Sequence, residues 1–450
     1  MNGFSKVGFI LATLGSSIGL GHIWRFPYMA GENGGGAFVL LFLILALCVG
    51  VSLLIAEMLL GNRGKGDMPQ CFVNLTQNPK TPWRYSGFAL LGGVIILSFY
   101  CVILGWILYY LIFVSVNLPS SMEDSKKIFA WLMSDGVEAQ ILCFGATLFC
   151  TAFIVSFGIK RGIERLNIIL MPLLFVIFIA LLIYASFQPS FIYAVHFLFD
   201  FKYEDITPSV LISALAQMFF SLSLGVGTIM AYSAMSEERQ NLLKSAFWVV
   251  LPGIIISLVA GLMIFTFYFG YEGELGKDSG ESVNLVFISL PLIFSEFDNV
   301  GVVLSVAFLS ALLFAGITST VSLLEPSVYF VVNRLKCHRL SATWGISAVV
   351  FCVGLVALYS MSARGENLIF GGKSVFLWLD FASASVIMPI SVLLSTIFVG
   401  FVLGKETIRN YTRDFLSDRA FLVWRFIIRY ISPMVIVGIL AYKIITELGV

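Results

Sequence analysis

The chain has 450 residues, of which 59% are hydrophobic and 42 are Phe, while only 12% are charged, about half the share of a soluble domain. That much apolar surface cannot be hidden in a water-soluble core, so the chain is an integral membrane protein. Soluble enzymes, nucleic-acid binders, secreted disulfide scaffolds and disordered chains are excluded. The formal net charge of +1 gives no steering toward polyanions, so the expected surroundings are membrane lipid and no nucleic acid.

A bilayer core of about 30 Å needs about 20 apolar residues per helix. Stretches without charge run over residues 7–24, 33–56, 85–122, 139–159, 166–199, 206–236, 245–271, 299–324, 340–363 and 381–404. An eleventh, 423–446, carries Arg425 and Arg429 at one end and Lys443 at the other, where long side chains snorkel to the interface. With the N-terminus in the cytoplasm, nineteen Lys and Arg fall in inner segments and seven in outer ones, leaving Arg25 within the membrane. The positive-inside rule therefore predicts a cytoplasmic N-terminus and, after eleven spans, an outer C-terminus. The first stretch is broken by Gly and Ser and has no small-residue cleavage site, so it reads as a span and not a cleaved signal peptide. The seven Cys are scattered singly, without disulfide or metal spacing. The acidic outer loop from Glu272 to Asp298 is long enough for a short helix and is a candidate lid.

Span 1 contains Gly15-Ser16-Ser17-Ile18-Gly19-Leu20-Gly21-His22. Each Gly costs a helix about 1 kcal/mol and hydroxyls compete for backbone bonds, so unwinding in mid-membrane is expected. Span 6 repeats the pattern at Ser221-Leu222-Ser223-Leu224-Gly225-Val226-Gly227. Small residues also let helices pack closely, and for one span alone the two readings weigh equally. Two interruptions five spans apart favour a binding site built on inverted repeats.

Span 8 carries Ala315-Gly316-Ile317-Thr318-Ser319-Thr320. Its hydroxyls either bond their own helix or join freed carbonyls of span 1 as neutral ligands for a small hard cation. Arg25 follows the span 1 break and Asp380 opens span 10. Either both snorkel or they meet as a salt bridge over the cavity. Glu57, near the inner end of span 2, is expected to accept hydrogen bonds from strained backbone.

The run Gly19-Leu20-Gly21-His22-Ile23-Trp24-Arg25-Phe26-Pro27-Tyr28, followed by Glu32-Asn33-Gly34-Gly35-Gly36-Ala37-Phe38, resembles the signature of the neurotransmitter:sodium symporter family. The likeness continues through Ser98-Phe99-Tyr100, Phe219 to Tyr232, Ala315 to Ser319 and Asp380-Phe381. It implies the leucine-transporter fold: an all-α membrane protein of eleven transmembrane helices, in two inverted five-helix repeats with helices 1 and 6 unwound mid-membrane, plus one extra helix. The whole chain, 1–450, is then one transporter domain, with repeats at about 5–186 and 207–404 and the extra helix at about 421–447. By the same resemblance, Ser17, Gly21 and Tyr100 meet the substrate carboxylate, and Ile96, Phe220, Ser221, Ser223, Val226, Ser319 and Leu323 shape the pocket. A sodium ion is implied at the carbonyls of Gly15, Ile18 and Ala315 and the hydroxyls of Thr318 and Ser319. Arg25 and Asp380 match the outer gate.

Some positions depart from the family. Its first sodium site uses Asn side chains where this chain has His22 and Gly253, leaving Ser221 as the retained hydroxyl. Of the chloride ligands, Gln217, Ser221 and Ser257 match but Phe42 replaces a Tyr, so chloride dependence is not expected. The inner gate pair is absent: the five residues before Lys6 include no Arg, and Asn333 stands where an Asp is usual. The resulting expectation is a sodium-coupled importer of an apolar amino acid in the cell inner membrane, multi-pass, with no enzymatic chemistry and no obligate protein partner. The alternatives are proton or single-sodium coupling through His22, and a sensor that binds amino acid without transporting it.

Overall fold

The computed structural model describes residues 3–271 and 284–448. Among these residues nine helices are long and apolar enough to cross a bilayer. The pair Lys6–Ser17 and Gly21–Glu32, bent by 49°, makes a tenth span. Span 6 is two helices, Pro208–Ser221 and Thr228–Ala234, each too short to cross alone. The arrangement is thus consistent with the eleven expected spans.

Charge-free stretches overestimate several helices, for a local reason. Span 3 stops at Val114, and Met122–Ser134 forms a separate amphipathic helix capped by Ser121, whose hydroxyl accepts from the Asp124 N–H. Span 5 ends at Ser186, before a separate helix Phe191–Phe199. Span 8 is longer than its charge-free core and runs to Leu335. Asp380 closes the helix Val375–Asp380 and leads into a π-helical turn, so it lies inside span 10 and does not open it. Gly371 and Gly372, at φ +58° and +78°, make a two-residue hairpin turn between antiparallel strands pairing Ile369 with Ser374 and Phe370 with Lys373. Of the candidate lid, residues 272–283 lie outside the described residues; Leu285–Ser289 and Leu290–Ser295 are helical and buried.

Burial separates an inner bundle from a lipid-facing ring. In spans 3 and 7 67% of the most apolar stretch is buried, against 28% in spans 5 and 11. Span 3 packs along span 8, and span 2 along the second half of span 6. The latter contact needs Gly61, where a Cβ would stand 2.0 Å from the Met230 carbonyl oxygen. Backbone cannot yield as a flexible side chain does, so Gly61→Ala is expected to cost about 1–3 kcal/mol, read as a lower melting temperature of the purified protein. An unchanged melting temperature would mean that the two helices re-space freely.

Candidate functional site

Both breaks form as backbone events. In span 1 the helix ends at Ser17, and Ile18 turns extended at φ −78°, ψ 95°, taking its carbonyl off the helical ladder. The interruption is confined to residues 18–20 before a π-helical turn begins at Gly21, so Gly15 stays helical. In span 6, Ser223, Gly225 and Gly227 all adopt positive φ, at +50°, +84° and +81°. Gly225 has little alternative, because a Cβ there would lie 2.4 Å from the Met388 carbonyl. Its N–H donates to Glu57 Oε1 at 2.9 Å, so Glu57 accepts from strained backbone. Ser223 is held by donating its hydroxyl to the Ser16 carbonyl at 2.7 Å, and Ser17 donates to the Ser221 carbonyl at 2.8 Å. The two breaks therefore satisfy each other's freed carbonyls.

Between them lies a cavity of about 40 Å³, room for a few waters at about 10–15 Å³ each. Ser17, Gly21, Ile96, Tyr100, Phe220, Ser223, Val226, Ser319 and Leu323 line it. Ser221 does not: its carbonyl accepts from Ser17 and its hydroxyl from Gln217 at 2.9 Å. Ser16, Gly19 and Met388 also line the cavity. Ser16 and Gly19 belong to the Gly/Ser run already noted, whereas Met388 is one apolar residue in an apolar stretch and carries no signal. The Tyr100 hydroxyl accepts from the Leu20 N–H at 3.1 Å. A Cβ on Gly19 would come within 2.8 Å of that hydroxyl and would collide with the Ser319 oxygen. The pocket is thus polar at the span 1 break and apolar where Ile96, Phe220, Val226 and Leu323 face it.

Below the Gly15 end, spans 1 and 8 bring neutral oxygens together. Ser319 Oγ lies 3.4 Å from the Gly15 carbonyl and Thr318 Oγ1 donates to the Ala315 carbonyl at 2.9 Å. Gly15, Ile18, Ala315, Thr318 and Ser319 are all buried. A set of carbonyls and hydroxyls without a charged ligand is chemically suited to a hard monovalent cation, whose charge such neutral oxygens would compensate.

His22 does not line the cavity. Its ring Nδ1 lies 3.0 Å from the Ser17 carbonyl, which can only accept, so Nδ1 carries the proton and the ring caps the unwound segment. The ring rests on Gly253, where a Cβ would be 2.7 Å from Nε2. Gln217 donates to the Gly21 carbonyl at 2.7 Å, holding the other end of the break. Phe42 packs in an aromatic cluster with Phe26 and Phe38, at ring distances of 5.1 and 6.4 Å.

Above the small cavity opens a larger one of about 710 Å³, lined among others by Tyr28, Phe219, Phe220, Arg25 and Asp380. The Arg25 guanidinium stacks over Phe220, 4.6 Å from the ring centre, and Asp380 lines the same cavity. The opposite end is closed by the N-terminal segment. Phe4 is buried edge-on against Tyr232 at 5.1 Å, its N–H donates to the Met235 carbonyl at 3.1 Å, and Ser5 donates to Glu164 at 2.6 Å. Lys6 pairs with Glu237 at 3.4 Å. Closure at this end is an apolar plug held by hydrogen bonds and an ion pair.

A many-spanning helical bundle, with two broken helices meeting at a mid-membrane pocket closed on one side and open on the other, defines a secondary transporter. The description of the Sodium:neurotransmitter symporter family matches residues 3–129 and 133–448. The chain is 33% identical to the sodium-dependent transporter YhdH of Bacillus subtilis (strain 168), over 96% of this chain and 95% of that one. It is 30% identical to a sodium-dependent transporter of Haemophilus influenzae, covering 97% and 96%. The crystal structure of MhsT in complex with L-phenylalanine superposes with a TM-score of 0.87 at 32% identity, covering 98% of this chain and 99% of that one. The chain belongs to the sodium:neurotransmitter symporter family. It is a multi-pass, sodium-dependent membrane transporter of the leucine-transporter fold and not an enzyme.

Proposed function

We propose that this symporter imports an apolar amino acid by alternating access, through the cavity between the two helix breaks. The observation that carries this is the division of that cavity: hydrogen-bonding groups at the unwound ends suit an amino acid's charged termini, and Ile96, Phe220, Val226 and Leu323 suit an apolar side chain. The phenylalanine bound to MhsT supports the same class. At about 40 Å³ the cavity must widen to admit substrate, and the vestibule beneath Arg25 and Asp380 supplies the way in. We place the sodium ion at Gly15, Ile18, Ala315, Thr318 and Ser319; when bound it holds spans 1 and 8 together and drives uptake down its own gradient. Repeats at about 5–186 and 207–404, an inner-membrane location, a cytoplasmic N-terminus and independence from obligate protein partners complete the proposal. Chloride independence is supported by Phe42, whose ring packs apolar contacts where an anion ligand would be needed.

The first ion position is proposed to be filled by His22. Its ring occupies the room left by Gly253 and ties the unwound segment to itself, as a bound cation would. In proteoliposomes with an inward sodium gradient, labelled phenylalanine or leucine is expected to accumulate at least tenfold, with a sodium Hill coefficient near one and no loss when chloride is replaced by gluconate. Combining His22→Asn with Gly253→Asn is expected to move the coefficient toward two. Binding without accumulation would make the protein a sensor, a proton gradient sufficing alone would replace sodium as driver, and a wild-type coefficient of two would remove the role of His22.

A further inference from the structure

One buried polar atom next to the cation cluster has no assigned role. Asn167, in the first turn of the helix Arg165–Ser186, is fully buried, and its amide nitrogen donates to the Ile163 carbonyl at 2.8 Å. That bond decides the amide's orientation, because the flipped group would set oxygen against oxygen. Among the described residues Oδ1 has no hydrogen-bond partner. It points at the span 1 helix where Gly15 lacks a side chain: a Cβ built there would stand 1.8 Å from Oδ1 and 3.3 Å from Thr318 Cβ. The neighbours that Oδ1 meets offer it no donor, since Gly15 presents its Cα and the Thr318 hydroxyl proton is directed to the Ala315 carbonyl. A desolvated acceptor facing aliphatic hydrogens is unfavourable unless something positive lies within reach.

We propose that Asn167 Oδ1 is a further ligand of the sodium ion held by Gly15, Ile18, Ala315, Thr318 and Ser319, reaching it from span 5. This rests on the placement of the ion among those five oxygens and adds a third helix to the site. An amide oxygen is neutral and hard, matching the rest of the set. It also explains why residue 15 has no side chain: any Cβ would displace the amide from between spans 1 and 8.

The test is direct binding of ²²Na⁺, without amino acid, to the full chain in lipid nanodiscs. Asn167→Leu, similar in volume but without the oxygen, is expected to weaken sodium binding at least tenfold. Asn167→Asp, which sets a negative oxygen at the same place, is expected to tighten it. Sodium affinity within twofold of wild type in Asn167→Leu overturns the proposal, provided Thr318→Ala with Ser319→Ala abolishes binding in the same assay. If that double variant also binds normally, the five-oxygen placement itself fails and this ligand with it. Where Asn167→Leu does not fold, Asn167→Asp decides: tightening by tenfold or more supports contact with the ion, and unchanged affinity overturns it.

Discussion

Thr318→Ala together with Ser319→Ala is expected to abolish sodium-stimulated substrate binding. Each hydroxyl lost from a charged partner costs about 1.5–3 kcal/mol, so the pair removes about 3 kcal/mol or more, at least a hundredfold in sodium Kd. The fold should tolerate the change. Thr318 bonds within its own helix, and Ser319 gives up only a 3.4 Å contact with the Gly15 carbonyl and a bond to the Tyr100 hydroxyl, against helix packing that the change leaves in place. Sodium titration of labelled amino-acid binding reads the effect, with circular dichroism and melting as controls for folding. Retained wild-type sodium dependence in a folded double variant would put the ion elsewhere.

Asp380→Ala is expected to reduce transport by tenfold or more while leaving the protein folded. Arg25 and Asp380 face one cavity, and the guanidinium already lies over Phe220, which also lines the smaller cavity below. Closure over substrate withdraws water from both charges, which raises the worth of their attraction and leaves the Arg25 charge uncompensated if the carboxylate is gone. The variant should therefore bind sodium normally and fail in turnover, a division visible by comparing equilibrium ²²Na⁺ binding with uptake. Full uptake in Asp380→Ala would reduce Arg25 to a cation stacked on an aromatic ring. Asp380→Glu, which keeps the charge on a longer arm, should recover part of the rate.

Sequence and structure meet most closely at the breaks. Span 6 unwinds over Leu222 to Gly227 because Gly225 and Gly227 accept positive φ without steric cost, and Ser223 joins them through its bond to Ser16. Span 1 is interrupted over fewer residues than its glycines allow, since Gly15 remains helical against Asn167. A helix-breaking residue permits a break and neighbouring helices decide whether it is used. The same distinction covers Asp380, which extended helix capped by Ser374 carries into the span although a count of uncharged residues begins after it.

Membrane residence, the expected number of spans, the two interruptions and the family resemblance are all readable from the chain alone. They are local properties: bilayer thickness sets the length of an apolar stretch, and backbone freedom sets where it yields. Which side chains converge depends instead on how each helix is rotated and how closely it approaches the next, and that is decided by packing. Hence Ser221, expected in the pocket, is turned toward Gln217, while Met388 lines it unannounced. The closure by Phe4, Ser5 and Lys6 uses partners more than 150 residues away, and the Asn167 amide of one helix meets Gly15 of another. No periodicity or spacing encodes such meetings, because they arise only when separate spans are pressed together.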